Sequence, residues 1–334
     1  MSEKNKNVPV AVVTGANGFV GSHLVALLLR EGYRVKCIIR KTSNLRWIKD
    51  LPVEFYDCGL TDIDALKAVF EDANYIFHIA GVVAAKKPEM FYKGNVETTR
   101  NVLEAAKGNP NIRKIVMTSS LAASRPTVKG TPVTEDMPSA PVSTYGRSKV
   151  EQEQLAKTYM SDLPIALIRP PVVYGPRDTE VLLLFKTIQK RLMAMVGFTE
   201  KYLSLVYVDD LVSGMLLAAT SDNTAGETYF LGSAQAEFAY SELSMKIADL
   251  LGAKPFKIRL PHGLVYVVGG ISQFFGQFGK KPPTLTIEKA REMTRDSWSC
   301  SSEKAMREFG YAPAMPLEEG LKQTIEWYKK EKWL

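Results

Sequence analysis

The chain has 334 residues, 46% hydrophobic and 24% charged, with 43 basic residues against 36 acidic ones and a formal charge of +7. A globular chain of this size buries a sizeable core unaided. Its three scattered cysteines (Cys37, Cys58 and Cys300) and three scattered histidines argue against disulfides or a metal site and for a reducing compartment, the cytoplasm. The basic residues are dispersed, with no run interleaved with aromatics, so the excess suits an anionic small molecule rather than a nucleic acid.

In chain order, Met1 to Asn7 is polar and lacks the apolar run of a signal peptide. Val10 to Thr14 predicts a strand, and Phe19 to Arg30 a helix that ends before Gly32. Val35 to Ile39 and Val53 to Tyr56 read as strands, followed by a helix over Ile63 to Phe70. Tyr75 to Ile79 reads as a fourth strand and Thr98 to Lys107 as part of a helix. Ile115 to Met117 is a fifth strand running into Thr118-Ser119-Ser120, and Ile165 to Ile168 a sixth, stopped by Pro170-Pro171. This alternation predicts right-handed βαβ crossovers and an α/β fold: a Rossmann-type, doubly wound parallel sheet with helices on both faces.

Beyond Pro176 the pattern is less regular. Val181 to Arg191 reads as a helix, Ser204 to Val208 and Thr228 to Leu231 as strands returning to the sheet, and the tail from Ser241 as mostly helical. The expected division is residues 1–178 with the returning 204–233 as a sheet domain. Residues 179–203 and 234–334 then form a smaller, mostly helical substrate region over the open end of the sheet. Leu260 to Gly279 holds no Asp, Glu, Lys or Arg and is followed by Lys280-Lys281. Its five glycines and several polar groups, including Gln277, weaken it as a membrane span. It reads as a buried or substrate-covering helix, or as one in peripheral contact with a membrane or lipid.

Two constellations carry chemistry. Gly15, Gly18 and Gly21, within Thr14-Gly15-Ala16-Asn17-Gly18-Phe19-Val20-Gly21, recur every three residues between a strand and a helix. Without side chains, this backbone can approach a pyrophosphate whose charge the helix N-terminus favours. At the end of the second strand Arg40, Lys41 and Ser43 stand where an NAD site would place an acid, and a cation with hydroxyls suits the 2′-phosphate of NADP. Far downstream, Tyr145 and Lys149 lie one helical turn apart. A neighbouring ammonium stabilises a phenolate, so such a tyrosine can donate a proton to a carbonyl or take one from an alcohol. Ser120 can hydrogen-bond the same oxygen.

On these motifs, and on His78-Ile79-Ala80-Gly81, Gly94-Asn95-Val96-Glu97-Thr98, Arg169-Pro170-Pro171 with Tyr174-Gly175-Pro176-Arg177, and Tyr207-Val208-Asp209-Asp210, the chain resembles the extended short-chain dehydrogenases/reductases of the NAD-dependent epimerase/dehydratase superfamily. The resemblance implies a catalytic Ser120, Tyr145 and Lys149, with Lys149 also on the nicotinamide ribose and Asn95 supporting the site. It implies that Gly15, Asn17, Gly18, Phe19, Val20, Ala80, Gly81, Pro170 and Val173 line the cofactor. Where the family carries an acid for the adenine this chain has Cys58-Gly59-Leu60, so Asp57 or the backbone of Gly59 and Leu60 takes that contact.

Family dehydratases follow the serine with an acidic pair, and this chain has Leu121-Ala122. Nucleotide-sugar epimerases carry an asparagine before Tyr-Gly-Pro, where this chain has Pro171-Val172-Val173. These features resemble the branch of 3β-hydroxysteroid dehydrogenases and dihydroflavonol reductases. The expectation is an NADP(H)-dependent oxidoreductase that interconverts a hydroxyl and a ketone on a hydrophobic, steroid-, flavonoid- or 3-oxoacyl-like substrate. Phe274, Phe275 and Phe278 would cover that substrate or form ordinary helix core. The alternative is a nucleotide-sugar epimerase with tightly bound NAD, in which Arg177 meets the diphosphate. Relatives also imply a homodimer through the helices around Thr98 and Tyr145.

Overall fold

The computed structural model describes residues 8–334 apart from 277, 280, 281 and 284, so Met1 to Asn7, Gln277, Lys280 and Lys281 lie outside the described residues. Strand β1 (Val10–Thr14) is buried at every position, as expected for a central parallel strand covered on both faces. A glycine turn leads into helix α1 (Phe19–Arg30), followed by β2 (Arg34–Ile38), β3 (Glu54–Tyr56) and α2 (Ile63–Phe70). The Asp62 side chain accepts the Ala65 N–H and so caps α2. Next come β4 (Tyr75–His78), α3 (Pro88–Tyr92), a π-helical turn Lys93–Glu97, α4 (Thr98–Ala106), β5 (Lys114–Thr118), α5 (Thr144–Lys157) and β6 (Ile165–Arg169).

The second half supplies β7 (Val172–Tyr174), α6 (Leu182–Gln189), β8 (Leu192–Val196), β9 (Tyr202–Leu203), β10 (Leu205–Tyr207), α7 (Val208–Thr220) and β11 (Thr228–Phe230). It continues through β12 (Phe238–Ala239), α8 (Tyr240–Leu251), β13 (Phe256–Leu260), α9 (His262–Gly276), α10 (Ile287–Met293), β14 (Ser297–Trp298), α11 (Glu303–Phe309) and α12 (Leu317–Lys330).

Seven strands form one parallel sheet in the order β11-β6-β5-β4-β1-β2-β3. The order reverses between β1 and β4, so the carboxyl ends of these strands open a crevice there. Helices cover both faces. Leu24, Val25 and Leu28 of α1 pack with Leu211, Val212 and Met215 of α7 on one side. Leu66 and Phe70 of α2, Leu103 of α4 and Leu155 of α5 pack on the other. A separate core joins α6, α8 and α12 through Phe185, Ile247, Ile325 and Tyr328.

Three sequence expectations change. Of the two strands expected to return to the sheet only β11 does so; β10 pairs with β7 in a two-stranded ribbon. Pro170 and Pro171 end β6 and turn the chain out of the main ladder, since proline has no N–H to continue it. The short β13 pairs in parallel with β8, which lies just past the expected 181–191 helix. Finally, α9 is not buried: only Val265 and Gly269 are, and Phe274, Phe275 and Phe278 are exposed rather than core. No described helix is long and apolar enough to cross a membrane.

Candidate active site

The loop after β1 is shaped by two glycines. Gly15 adopts a φ of +70°, and a Cβ there would lie 2.8 Å from the Ala80 nitrogen. A Cβ at Gly21 would collide with the Gly15 carbonyl. Backbone thus packs on backbone, Gly18 N–H donates to the Gly15 carbonyl at 3.0 Å, and the Asn17 side chain reaches the Asn44 carbonyl at 3.4 Å. No side chain caps α1 at Gly18, which leaves its first-turn N–H groups, those of Phe19 and Val20 among them, for an anion. This cradle fits a dinucleotide pyrophosphate.

At the far end of the crevice, Arg40 sits just past β2, bridged to Cys58 past β3, with its N–H held by Ser43 Oγ at 3.0 Å. Arg40 and Lys41 are exposed, and no carboxylate among the described residues pairs with either. Gly59, at φ +64°, donates to the Ile39 carbonyl, and the Leu60 carbonyl accepts from Asn101 at 2.8 Å. Asp57 is exposed.

At the near end, Ser120 follows β5 in an extended conformation, and its Oγ accepts the Ala122 N–H at 3.1 Å. Leu121 and Ala122, which follow it, offer no acid–base group. Ser143 caps α5 by accepting the Gly146 N–H at 3.2 Å and so sets the helix start one residue before Tyr145. Burial pushes the Tyr145 phenol up to about 12, opposed by a hydrogen bond with the Ser120 hydroxyl. Lys149 lies one turn on. Burial pulls its ammonium down to about 8, against the attraction of Glu153. Lys149 Nζ donates to the Thr118 carbonyl at 2.9 Å and to Gln152 Oε1 at 2.7 Å, leaving one proton for a ligand.

Behind these groups runs a buried hydrogen-bond chain. Gln152 Nε2 donates to Thr99 Oγ1 at 2.9 Å, and Thr99 Oγ1 donates to the Asn95 carbonyl at 2.7 Å. With its only proton committed, Thr99 must accept from His78 Nε2 at 2.9 Å. His78 Nδ1 then accepts from Thr14 Oγ1 at 2.9 Å, and Thr14 in turn accepts the Ala80 N–H at 3.2 Å. This assigns the neutral Nε2–H tautomer. In agreement, burial and then the Lys149 charge pull the His78 imidazole down to about 3.

Asn95 lies in the π-helical turn. Its side chain accepts the Val82 N–H at 2.7 Å and donates to the Val82 carbonyl at 3.1 Å and to Ser148 Oγ at 2.9 Å. It therefore ties the loop after β4 to α5. Glu153 accepts two bonds from Arg169, Nε at 2.8 Å and Nη2 at 2.6 Å, and one from Ser119 Oγ at 2.5 Å. This buried pair fixes α5 against the ends of β5 and β6. Arg169 Nη1 has no partner among the described residues.

Ser120, Tyr145 and Lys149 open onto a cavity of about 1350 Å³ that Phe19, Val20, Gly81, Pro170 and Val173 also line. Its wall is mostly apolar, through Val83, Phe91, Val172, Leu203, Ile287 and Met293, and it reaches α9 and α10. Glu288 of α10 holds that helix on the catalytic one by accepting the Thr144 N–H at 3.0 Å and Thr144 Oγ1 at 2.7 Å.

Residues 11–232 match the model of the NAD dependent epimerase/dehydratase family. The chain belongs to this family. It is an NAD(P)-dependent enzyme of the extended short-chain dehydrogenase/reductase type. Among curated relatives it is similar to the ceramide reductase of Caulobacter vibrioides, 28% identical over 97% of this chain and 96% of that one. It is also similar to the decarboxylating sterol-4-alpha-carboxylate 3-dehydrogenase of Mus musculus, at 27% over 94% and 89%. The latter fits the 3β-hydroxysteroid dehydrogenase-like branch. The UDP-glucose 4-epimerase of Thermotoga maritima shares the fold, with a TM-score of 0.79 at 23% identity over 97% of this chain and 99% of that one.

Within this family member, the structure brings Ser120, Tyr145, Lys149, Phe19, Val20, Gly81, Pro170 and Val173 around one cavity and places Ala80 against Gly15. Arg40, Lys41, Ser43, Gly59 and Leu60 lie apart from it, past β2 and β3. Arg177, considered above for a diphosphate, instead donates to Ser22 Oγ at 3.0 Å and stacks its guanidinium 5.4 Å from the Trp47 ring centroid. Sequence reasoning missed Gln152 and Glu153. Their spacing of three and four residues from Lys149, on the same helix face, was the available signal.

Proposed function

We propose that this enzyme is an NADP(H)-dependent oxidoreductase interconverting a hydroxyl and a ketone on a hydrophobic substrate. The observation that carries the reading is the opening of Ser120, Tyr145 and Lys149 onto a large cavity with mostly apolar walls. Relatives named for ceramide and for a sterol carboxylate support that substrate class. Arg40 and Lys41, exposed and paired with no carboxylate among the described residues, together with the half-buried Ser43 past β2, support a 2′-phosphate.

When bound, the nicotinamide supplies or accepts the hydride. Gly15, Gly18 and the α1 N-terminus would hold the pyrophosphate, and the remaining Lys149 proton would serve the ribose. In reduction, the Tyr145 hydroxyl gives its proton to the substrate oxygen, which Ser120 orients. In oxidation, the Tyr145 phenolate takes that proton back. Burial sets the phenol at about 12, so at neutral pH it holds the proton that reduction needs, and the Ser120 hydroxyl is the neighbour that opposes this rise. Asn95 holds the loop that carries Gly81 against α5.

The test is nicotinamide absorbance with NADPH or NADH against long-chain 3-oxo compounds, hydroxysteroids, flavonoid-like ketones and nucleotide sugars. Net NADPH consumption with an apolar ketone is expected. Isomerisation of a nucleotide sugar without net cofactor change would replace this reading by an epimerase. Tyr145→Phe should lower turnover by roughly 10²–10⁴-fold and leave NADPH affinity unchanged. Equal turnover would overturn the mechanism.

A further inference from the structure

Helix α9 carries Leu264, Val267, Val268, Ile271, Phe274 and Phe275 on its solvent side, at the three- and four-residue spacing of a single continuous face. All are exposed, Phe275 at 66%, and Phe278 just beyond the helix is exposed at 78%. The opposite side seats Val265 and Gly269 against the start of α10, where a Cβ at Gly269 would lie 3.0 Å from the Thr286 carbonyl. The helix is therefore firmly mounted, and its outward apolar face is a fixed surface of the fold. Strand β13, which leads into it, exposes Phe256 and Ile258 as well. Scattered apolar residues are normal on a surface, but a contiguous patch of this size marks an interaction site.

Charge identifies the partner. From residue 250 to residue 287 the sequence has no Asp or Glu and five cations: Lys254, Lys257, Arg259, Lys280 and Lys281. That segment carries +5 of the chain's formal +7. Lys254, Lys257 and Arg259 are exposed, and Lys86, also exposed, donates to the Gly279 carbonyl at the other end of the helix. An uncharged apolar face flanked by cations at both ends is the pattern of a helix lying in a membrane interface, its side chains among acyl chains and its bases on anionic headgroups. Fifteen residues are too short to span a bilayer, which agrees with docking in the interface plane.

We propose that the outer face of α9, with its basic flanks, docks this enzyme on an anionic lipid surface. Gln273, Gly276 and Phe278 also line the catalytic cavity, so docking brings the cavity wall to the lipid. A hydrophobic substrate then enters without crossing water. This delivery rests on the hydrophobic-substrate reading above, whereas the docking rests on the exposed face and its charges.

The test is co-sedimentation of the full chain with phosphatidylcholine vesicles, with and without phosphatidylglycerol. The protein should pellet with the anionic vesicles. The Val267→Gln/Ile271→Gln/Phe275→Gln variant, which leaves the cavity lining intact, should bind them at least about tenfold more weakly, with unchanged NADPH affinity as its check of folding. Lys254→Glu/Lys257→Glu should lose the dependence on phosphatidylglycerol. Wild-type protein that stays in the supernatant with both vesicles overturns the proposal, as does a triple variant that binds equally well. A wild-type dimer that this variant converts to a monomer, with no vesicle binding, would assign the face to a second copy and also overturn it. Turnover of an apolar ketone in detergent without vesicle binding would leave the function reading standing and remove the docking. Vesicle binding without turnover of any apolar ketone would do the reverse.

Discussion

Of the fourteen residues of α5, eight are buried, and these include Lys149, Gln152 and Glu153; α9 is one residue longer, has no charged side chain and buries only Val265 and Gly269. Hydropathy alone ranks the two the other way round. A polar side chain can be buried where the fold supplies its hydrogen bonds, and α5 meets those partners at the ends of β5 and β6. An apolar side chain stays exposed where no element covers it, and α9 is covered on one side only. The buried polar helix carries the proton chemistry. The exposed apolar helix faces outward, toward the partner proposed above.

Substitutions can break this contrast. The largest effect is expected at the Glu153–Arg169 pair, whose side chains are both almost fully buried. Glu153→Gln leaves the guanidinium uncompensated and should cost about 3–5 kcal/mol in urea unfolding. A loss under about 1 kcal/mol would show that α5 does not depend on its buried charges.

The next effect is a pH slope from His78. Its folded-state value of about 3 lies below the unfolded value of about 6.5, so only the unfolded chain takes up a proton between them. Its contribution is complete above about pH 6.5 and is lost as the pH falls toward 3. Between pH 7 and pH 5 it should remove about 2 kcal/mol of stability, and His78→Gln should lack that part of the decline. Urea unfolding of both proteins at the two pH values measures it, and parallel slopes would place the imidazole outside the network.

The smallest effect is expected on α9. Ile271→Gln removes an apolar side chain that the fold does not cover and should change the unfolding free energy by less than about 0.5 kcal/mol. A destabilisation of 2 kcal/mol or more would mean that something in solution buries this face within the protein itself.

Much of this was legible in the residues. The β1-turn-α1 glycine spacing, the Tyr145–Lys149 turn and the six strands up to Pro170 follow from local periodicity, because each depends on neighbours within a few residues. The ribbon of β7 with β10, the pairing of β8 with β13 and the Glu288 clasp on Thr144 join segments dozens of residues apart, and no local signal predicts them. Gln152 and Glu153 lay in plain view on the face of Lys149. Their roles depend on Thr99 and Arg169, which the chain brings in from other elements.

The sequence by itself determined the α/β class, the family and the reacting groups, since each is written in short-range spacing that backbone geometry reads directly. The tertiary structure decided which polar groups are buried and paired, how the apolar cavity is walled and which side of α9 is left uncovered. Burial and pairing are properties of what surrounds a residue, and what surrounds it is supplied by distant parts of the chain.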